Sequence, residues 1–209
     1  MASQFRTARS QGRRTSTAKR EIKKRLLVVC GGKKTEKDYF EALRDHFRSS
    51  SITIRVKTDS RSPLYVVRTA ADLYRRSPDD FDECWAVFDV DRFEDVQESV
   101  TTAARNGIRL AISNPCFEYW LLLHFCDHAA HLRDYKAVKE RISSHLPAYD
   151  KAGLRITDYT DGVRDAVDRA RKRDEGQAPP GPNPSTGVWR IVTQMVPPPA
   201  SVPAPRRGK

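Results

Sequence analysis

The sequence lacks the long apolar run that a membrane-spanning helix needs. No stretch approaches the ~20 consecutive apolar residues that cross a bilayer. The basic N-terminus, "MASQFRTARSQGRRTSTAKR", is not closely followed by an apolar stretch of signal-peptide type. A transit peptide would share its Arg- and Ser-rich, acid-poor composition, but a plain disordered tail is the favoured interpretation. We therefore expect a cytoplasmic protein with no membrane partner.

Cysteine is scarce, and neither cysteine nor histidine is spaced for metal binding. The cysteines at positions 30, 84, 116 and 126 form no Cys-x-x-Cys pair, so a structural zinc site has little support. Cys30 and Cys84 lie in apolar, strand-like segments, which favours buried, reduced thiols. His124 and His128 are four residues apart but have no partner glutamate. The motifs of serine and cysteine hydrolases are also absent, so those enzyme classes are not indicated.

Positive charge is abundant but confined to the ends of the chain. The formal net charge is +11, and residues 1–25 carry nine Lys/Arg against one Glu. The last four residues, "RRGK", carry three more basic residues, whereas 26–205 holds 26 basic and 26 acidic residues. Basic tails attract nucleic acid by counterion release, without sequence specificity. They equally suit solvated tails that aid solubility, and the sequence alone does not choose between the two.

The length and composition predict a single folded domain. A chain of 209 residues with 38% hydrophobic content can bury one sizeable core. We expect a disordered basic tail over 1–21, one domain over 22–195, and a disordered Pro-rich basic tail over 196–209. A Pro- and Gly-rich loop interrupts this domain at 175–184.

The domain alternates strand and helix patterns. Apolar or alternating runs predict strands at 25–30, 52–57, 84–91 and 108–113. The first intervening helix is predicted to be capped by Thr35 and the second by Ser62. The third is predicted to end at Gly107. This order predicts an α/β fold, with a mainly parallel sheet of about four strands flanked by helices. The C-terminal part reads as helical at 117–125, 135–146, 160–173 and 185–195.

The periodicity also predicts which side chains face inward. In the third helix these are Phe93, Val96, Val100 and Ala103. Ligands of such sheets bind beyond the carboxyl ends of the strands. That rule selects three stretches of this chain, namely 31–36, 89–91 and 113–118.

The first candidate site is "FDVD", at the end of the third strand. Asp89 and Asp91 are two residues apart and so share a face of the strand. Two adjacent carboxylates repel one another unless a cation lies between them, and Mg²⁺ prefers carboxylate oxygens, waters and substrate phosphates. The pair therefore predicts a Mg²⁺ (or Mn²⁺) site. Asp91 alternatively caps the following helix.

The second candidate is "GGKKTE", after the first strand. It is not a P-loop, because Leu27 stands where the first glycine of that loop would be. What remains is a glycine turn at a helix N-terminus, which offers N–H donors to an anion. Gly32, Lys33 and Lys34 are therefore candidate phosphate-binding residues. Two solvated lysines on a turn are an equally good interpretation of the same letters.

The third candidate is "SNPCFEYW", where the fourth strand meets a helix. Asn114 is a polar turn residue next to Pro115, and Glu118 lies in the first helical turn. The surrounding Trp and Leu residues indicate burial, and a buried carboxylate needs a partner. A metal ion, a lysine from the first turn or a helix-terminal N–H would each serve, so functional and capping roles both remain open.

Four stretches of the chain resemble the RloB-like family, bacterial proteins encoded near restriction–modification loci and grouped with TOPRIM-like folds. They are "LLVVCGGKKTEKDYFEAL", "DECWAVFDVDRF", "GIRLAISNPCFEYWLLLHF" and "NPSTGVWRIV", and they span roughly residues 26–192. The Asn-Pro-Cys-Phe-Glu and Asn-Pro-Ser-Thr blocks are the most specific part of the resemblance.

The resemblance implies a TOPRIM-like fold, found in Mg²⁺-dependent modules that cleave or transfer nucleic acid. The metal-holding Asp-x-Asp of those modules corresponds to Asp89 and Asp91. Their general acid or base, a glutamate after the first strand, corresponds to Gly31, so that acid is missing here. The glycine that follows it corresponds to Gly32.

The missing acid leaves catalytic activity open. Loss of a general acid or base typically costs 10²–10⁴-fold in rate. The family's Thr-Glu corresponds to Thr35 and Glu36, and Glu36 could replace the acid only if the turn folds its side chain over the strand end. As a first-turn residue Glu36 is more simply a favourable partner of the helix dipole. The candidate catalytic residues are Glu36 and Glu118, with Gly31 and Asn114 lining the site.

Three functions remain in competition. One is a Mg²⁺- or Mn²⁺-dependent nuclease of phage defence that acts on DNA or RNA. Another is a non-catalytic nucleic-acid-binding or partner subunit that works beside a second defence protein. A nucleotide-sugar transferase with an Asp-x-Asp motif is weaker, because the β-α units are short and the chain is small.

Overall fold

The computed structural model describes residues 24–47, 52–90, 93–151 and 153–197. Asp91, all of the predicted tail over 1–21 and residues 198–209 of the other predicted tail lie outside these residues. The strands are β1 (Lys24–Cys30), β2 (Ile52–Thr58), β3 (Glu83–Asp89), β4 (Arg109–Asn114) and β5 (Ser185–Thr186). The helices are α1 (Thr35–Phe47), α2 (Pro63–Arg76), α3 (Val96–Arg105), α4 (Glu118–Leu122), α5 (Tyr135–His145), α6 (Val163–Asp174) and α7 (Trp189–Met195).

The strands form one sheet in the order β2-β1-β3-β4-β5. The first four are mutually parallel, and β5 pairs antiparallel with β4. The predicted α/β fold with a mainly parallel sheet is therefore confirmed. The prediction of helix over 185–195 is wrong at its start, because Ser185 and Thr186 pair with β4 and α7 begins only at Trp189. Two residues are too few for a strand to show a period.

The side chains of the sheet alternate between two apolar layers. Leu26, Val28 and Cys30 join one cluster with α1 and the C-terminal helices, whereas Leu27 and Val29 join another with α2 and α3. Both faces of the central strands are thus buried, which explains their continuous apolar runs. The edge strand β2 buries only one face, through Ile52, Ile54 and Val56.

The third helix begins later than the periodicity predicts. Phe93 is 44% exposed rather than inward-facing, and α3 starts at Val96 after Asp95. The Asp95 carboxylate accepts hydrogen bonds from the Ser62 hydroxyl and from the Leu64 N–H at 3.2 Å. These bonds tie the start of α3 to the start of α2 and leave Phe93 in the loop before it.

Two other local expectations also change. Thr35 is the first residue of α1 rather than its cap, and its buried hydroxyl donates to the Lys151 carbonyl at 3.4 Å. Helix α4 ends at Leu122, shorter than the predicted 117–125. Gly107 follows α3 with φ +66°, the left-handed conformation that suits glycine at a helix end. Within the described ranges no helix has the length and apolar character needed to cross a membrane.

Candidate functional site

The parallel strands bring the three predicted stretches to one edge of the sheet. Asp89 at the end of β3 is in register with Ser113 near the end of β4. Gly31 continues the ladder beyond β1, its N–H donating to the Val87 carbonyl at 2.8 Å. The turn after β1, the end of β3 and the turn before α4 therefore meet above the same edge.

Glu36 folds back over the glycine turn. Its carboxylate occupies the space beside the Gly32 Cα, so that a Cβ added there would collide with all three carboxyl atoms. The side chain accepts backbone hydrogen bonds at Gly32 and at its own N–H, and Glu36 is only 4% exposed. The side chain thus reaches back from α1 to Gly32, the second residue after β1. This geometry also explains why position 32 is glycine.

The environment of Glu36 favours its protonated form. Burial raises the pKa of this carboxyl above its ordinary value, and the negative charge of Glu118 raises it further. The backbone hydrogen bonds and the Lys151 ammonium oppose the rise without cancelling it. A carboxyl with a raised pKa is suited to take up and release a proton nearer to neutral pH.

Glu118 is fully buried beside one lysine. Its relative exposure is 0%, and its Oε1 lies 2.7 Å from the Lys151 ammonium. Its Oε2 is also buried, and in the described part of the chain it has no hydrogen-bond partner. A buried carboxylate oxygen without a donor costs free energy unless something else binds it.

Lys151 places a positive charge beside these carboxylates. Its ammonium lies 4.8 Å from the centroid of the Tyr135 ring. Burial alone would lower its pKa, but the charges of Glu118, Glu36 and Asp89 raise it. The carboxylates of Glu118, Glu36 and Asp89 thus all act on this ammonium group.

Two neighbouring cavities share Asp89 and Lys151. The larger, of about 410 Å³, is lined by Asp89, Pro115, Cys116, Glu118, Arg133, Asp134, Tyr135 and Lys151. The smaller, of about 130 Å³, is lined by Gly31, Gly32, Glu36, Ser60, Arg61, Pro63, Phe88, Asp89, Phe93 and Lys151. Asp89 and Lys151 therefore stand between the Glu36 side and the Glu118 side of one site.

The donor chemistry of the edge suits a hard divalent cation. Asp89 and Glu118 line the same cavity, and the Glu118 Oε2 lacks a donor among the described residues. In those residues no three His, Cys, Asp or Glu side chains converge as a metal-binding group. Mg²⁺ keeps several waters and is commonly held by one or two protein carboxylates with substrate phosphates. Asp89 and Glu118 thus fit such an ion, and Asp91 follows just outside the described segment.

Of the other predicted site residues, Gly31 lines the smaller cavity, whereas three do not line either cavity. Lys33 and Lys34 are exposed on the turn and line neither cavity. Asn114 also lines neither, and its amide donates to the Gly181 carbonyl at 3.1 Å. A Cβ added to Gly31 would meet Phe88 Cβ at 3.3 Å and Val66 at 3.4 Å. A side chain at position 31 would therefore start toward the α2 face, away from Glu118.

The buried cysteine and histidine near the site are structural. Burial, followed by the charges of Glu118 and Asp89, holds the pKa of the Cys116 thiol far above its ordinary value, so it carries no thiolate. Both ring nitrogens of His124 are engaged, with the Tyr39 hydroxyl at 3.1 Å and the Trp120 carbonyl at 3.0 Å. Burial lowers the pKa of His124 to about 4, and it stays neutral.

Sequence reasoning missed Lys151 and the far wall of the larger cavity. Lys151 lies in a turn-rich segment between helices, with no strand end before it and no motif around it. The wall at Arg133 and Tyr135 follows Leu132, whose backbone is held at both polar atoms by the Asn183 amide, at 2.9 and 3.0 Å. Thr186 of the same Asn-Pro-Ser-Thr block pairs with Ser113 through their hydroxyls at 2.9 Å. The block therefore positions the site rather than lining it.

A family model described as RloB-like protein matches residues 26–195. Neither a curated protein nor a solved structure gives a significant match to the chain.

Proposed function

This chain belongs to the RloB-like protein family, and we propose that it is a divalent-metal-dependent nuclease of a bacterial defence system. The reaction is hydrolysis of a phosphodiester bond at the carboxyl edge of the sheet. The observation that carries the proposal is that Asp89 and Lys151 line both cavities, one with Glu36 and the other with Glu118, and that Glu36 and Glu118 are buried. Such a concentration of charge destabilises the fold and is usually retained for binding or catalysis.

Asp89 and Glu118 are the residues that would hold Mg²⁺ or Mn²⁺ in the larger cavity, together with Asp91. The ion would supply Lewis-acid stabilisation of charge on the phosphoryl oxygens. The unpartnered Glu118 Oε2 supports this assignment, because a cation would satisfy it. Asp89 supports it too, since this carboxylate lines both cavities.

Glu36 takes the role of the acid that is missing at position 31. Its carboxylate lies over Gly32, one residue beyond Gly31, and lines the smaller cavity with Asp89. Its raised pKa suits a group that accepts a proton from water and returns it to the leaving oxygen. The helix supplies this acid from its first turn, where a family member with the usual motif would use the strand end.

Lys151 contributes the fixed positive charge. The Lys151 ammonium lines both cavities and is anchored by Glu118 at 2.7 Å. A scissile phosphate that entered the site would meet this ammonium and gain charge-assisted hydrogen bonds. When no phosphate is present, the same ammonium offsets the repulsion among the carboxylates.

The direct test is a nuclease assay with Mg²⁺ and with Mn²⁺ on single- and double-stranded DNA and RNA. Wild type should cleave at least one substrate, and Asp89→Asn should reduce the rate by at least about 10²-fold while binding is retained. Asp79→Asn is the matched control, since Asp79 is exposed before β3 at the opposite end of the sheet. Equal cleavage by wild type and Asp89→Asn would contradict the proposal. Nucleic-acid binding without turnover would instead favour a non-catalytic subunit.

A further inference from the structure

The part of the chain that the structure describes exposes two large apolar side chains, Tyr65 at 43% and Phe93 at 44%. Both belong to the segments that Asp95 ties together at the starts of α2 and α3. Phe93 lines the smaller cavity beside Glu36 and Asp89. Isolated exposed apolar residues are ordinary, but Phe93 is an exposed ring that also lines a cavity with charged side chains, which is a suitable place for a ligand.

Arginine accompanies the first of these rings. The Arg61 guanidinium lies 4.2 Å from the centroid of the Tyr65 ring, and that of Arg68 lies 5.9 Å from it. Arg61 also lines the smaller cavity, so one residue connects the ring to the acidic site. Both guanidinium groups are more than half exposed and can still reach an anion.

Arg61 is held in position from below. Its Nε and Nη2 donate to Asp59 at 2.9 and 2.6 Å, and Thr69 donates to the same carboxylate at 2.6 Å. The Asp59 side chain is only 8% exposed, which makes it a fixed anchor. These hydrogen bonds therefore hold the Arg61 guanidinium beside Tyr65 before a ligand binds. Little side-chain entropy of Arg61 remains to be lost on binding.

From this arrangement we infer that Tyr65, Phe93 and Arg61 form a stacking platform that binds unpaired nucleotides and leads a single strand into the acidic site. The inference rests on the proposed function and names its substrate class. Aromatic rings stack with any base, and arginine adds cation–π contact and phosphate binding, which together typify single-strand recognition. In a duplex the base faces are already stacked on each other and are not available to the rings. A cavity of about 130 Å³ beside the platform admits a phosphate group rather than a paired helix.

The test measures binding of the full chain without metal, so that no cleavage is needed. Fluorescein-labelled oligo(dT), oligo(U) and a duplex of the same length are titrated in EDTA and followed by fluorescence anisotropy. Single strands should bind more tightly than the duplex, and the DNA and RNA arms identify the sugar that is preferred. Tyr65→Leu and Phe93→Leu should each weaken single-strand binding by about 5- to 150-fold. Tyr65→Trp should retain it.

Tyr74→Leu provides the matched control, because Tyr74 is on the same helix near its other end. Circular dichroism checks that each variant is folded. The inference is overturned if the duplex binds as tightly as single strands, if the leucine variants bind like wild type, or if wild type binds no single strand. Ring-dependent binding without cleavage in Mg²⁺ or Mn²⁺ would sustain the platform and refute the nuclease. Cleavage that is unchanged in Tyr65→Leu and in Phe93→Leu would support the nuclease and refute the platform.

Discussion

Glutamate is buried at both ends of the sheet, but in opposite electrostatic environments. At the amino end, Glu83 is 8% exposed and has four partners: Lys24 at 2.6 Å, Arg109 at 3.1 Å, the Trp85 Nε1–H at 2.9 Å and Gln194 at 3.2 Å. At the carboxyl end, the carboxylates of Glu118, Glu36 and Asp89 act on the Lys151 ammonium. Glu83 is a satisfied structural group, whereas the fully buried Glu118 at the carboxyl end has one ion-pair partner among the described residues, Lys151.

The pKa values express this difference. Burial would raise the pKa of Glu83, but hydrogen bonds from Lys24, Trp85 and Gln194 hold it below its ordinary value. Burial and the charge of Glu118 raise the pKa of Glu36 above the same value. Burial alone therefore does not mark a functional carboxylate. For Glu36, burial outweighs its hydrogen bonds and the Lys151 charge, and a carboxyl pKa raised in this way is a feature common at functional sites.

The largest expected effect is on activity at the carboxyl end. Glu36→Gln removes the proton-transfer group while keeping its shape, so the cleavage rate should fall by about 10²–10⁴-fold. The free energy of unfolding should stay the same or rise by about 1 kcal/mol or less, because a buried like-charge repulsion is removed. Rate measurements with Mg²⁺ and urea unfolding check the two parts. A cleavage rate of Glu36→Gln that stays within threefold of the wild-type rate at all pH values would contradict the role assigned to Glu36.

Substitution of Glu83, at the amino end of the sheet, is expected to affect stability alone. Glu83→Gln leaves Lys24 and Arg109 without their carboxylate, and the free energy of unfolding should fall by about 2 kcal/mol. The figure is below that for a wholly buried pair because both cations are about half exposed. The cleavage rate per folded molecule should not change. Urea unfolding and kinetics on the same preparation decide it, and a loss of rate without a loss of stability would contradict the comparison.

The neighbouring glycines of the turn, Gly31 and Gly32, should respond differently to the same substitution. Gly32→Ala places a methyl group where the Glu36 carboxylate lies, so the rate should fall by about tenfold or more as that carboxylate is displaced. Gly31→Ala is the paired control, since its methyl group meets Phe88 at 3.3 Å, Val66 at 3.4 Å and the Val87 carbonyl at 3.5 Å, and does not touch Glu36. For the same reason Gly31→Glu should restore no additional activity. Equal rates in Gly31→Ala and Gly32→Ala would count against the role of Glu36.

The smallest effects are opposite dependences of stability on pH. Glu36 has a raised pKa in the folded state, so its contribution to stability is present below the ordinary value near 4.5 and is lost as pH rises through the folded pKa. Glu83 has a lowered pKa, so its contribution is present above that value and is lost as pH falls through the folded pKa. Urea unfolding from acid to neutral pH, as wild type minus each Gln variant, should give slopes of opposite sign. Two slopes of the same sign would refute it.

Much of the sheet could be predicted from sequence because its signals are local. Continuous apolar runs gave β1 and β3, alternation gave β2, and Gly107 marked the end of α3. The rule that ligands gather at the carboxyl ends of parallel strands then brought Glu36, Asp89 and Glu118 to one edge. Phe93 was assigned to the core because periodicity cannot register the Asp95 bonds that delay α3.

The centre of the candidate site could not be predicted, because it depends on distant contacts. Lys151 reaches Glu118 across 33 positions of sequence, and nothing in the letters around it distinguishes it from a solvated lysine. The reversal of the Glu36 side chain depends on the conformation of the turn at Gly32, which is not a periodic property. β5 was missed because a two-residue strand is defined only by its partner.

The hydrogen bond between Thr35 and the Lys151 carbonyl joins residues 116 positions apart. During synthesis the carboxylates at 36, 89 and 118 leave the ribosome first. Lys151 follows later, and so does Asn183, whose amide holds the Leu132 backbone. A nascent chain therefore holds the acidic half of the site before it holds the ammonium that balances it. Completion of the site is thus coupled to completion of the domain, so a chain truncated before Lys151 would lack the assembled centre even though it contains Glu36, Asp89 and Glu118.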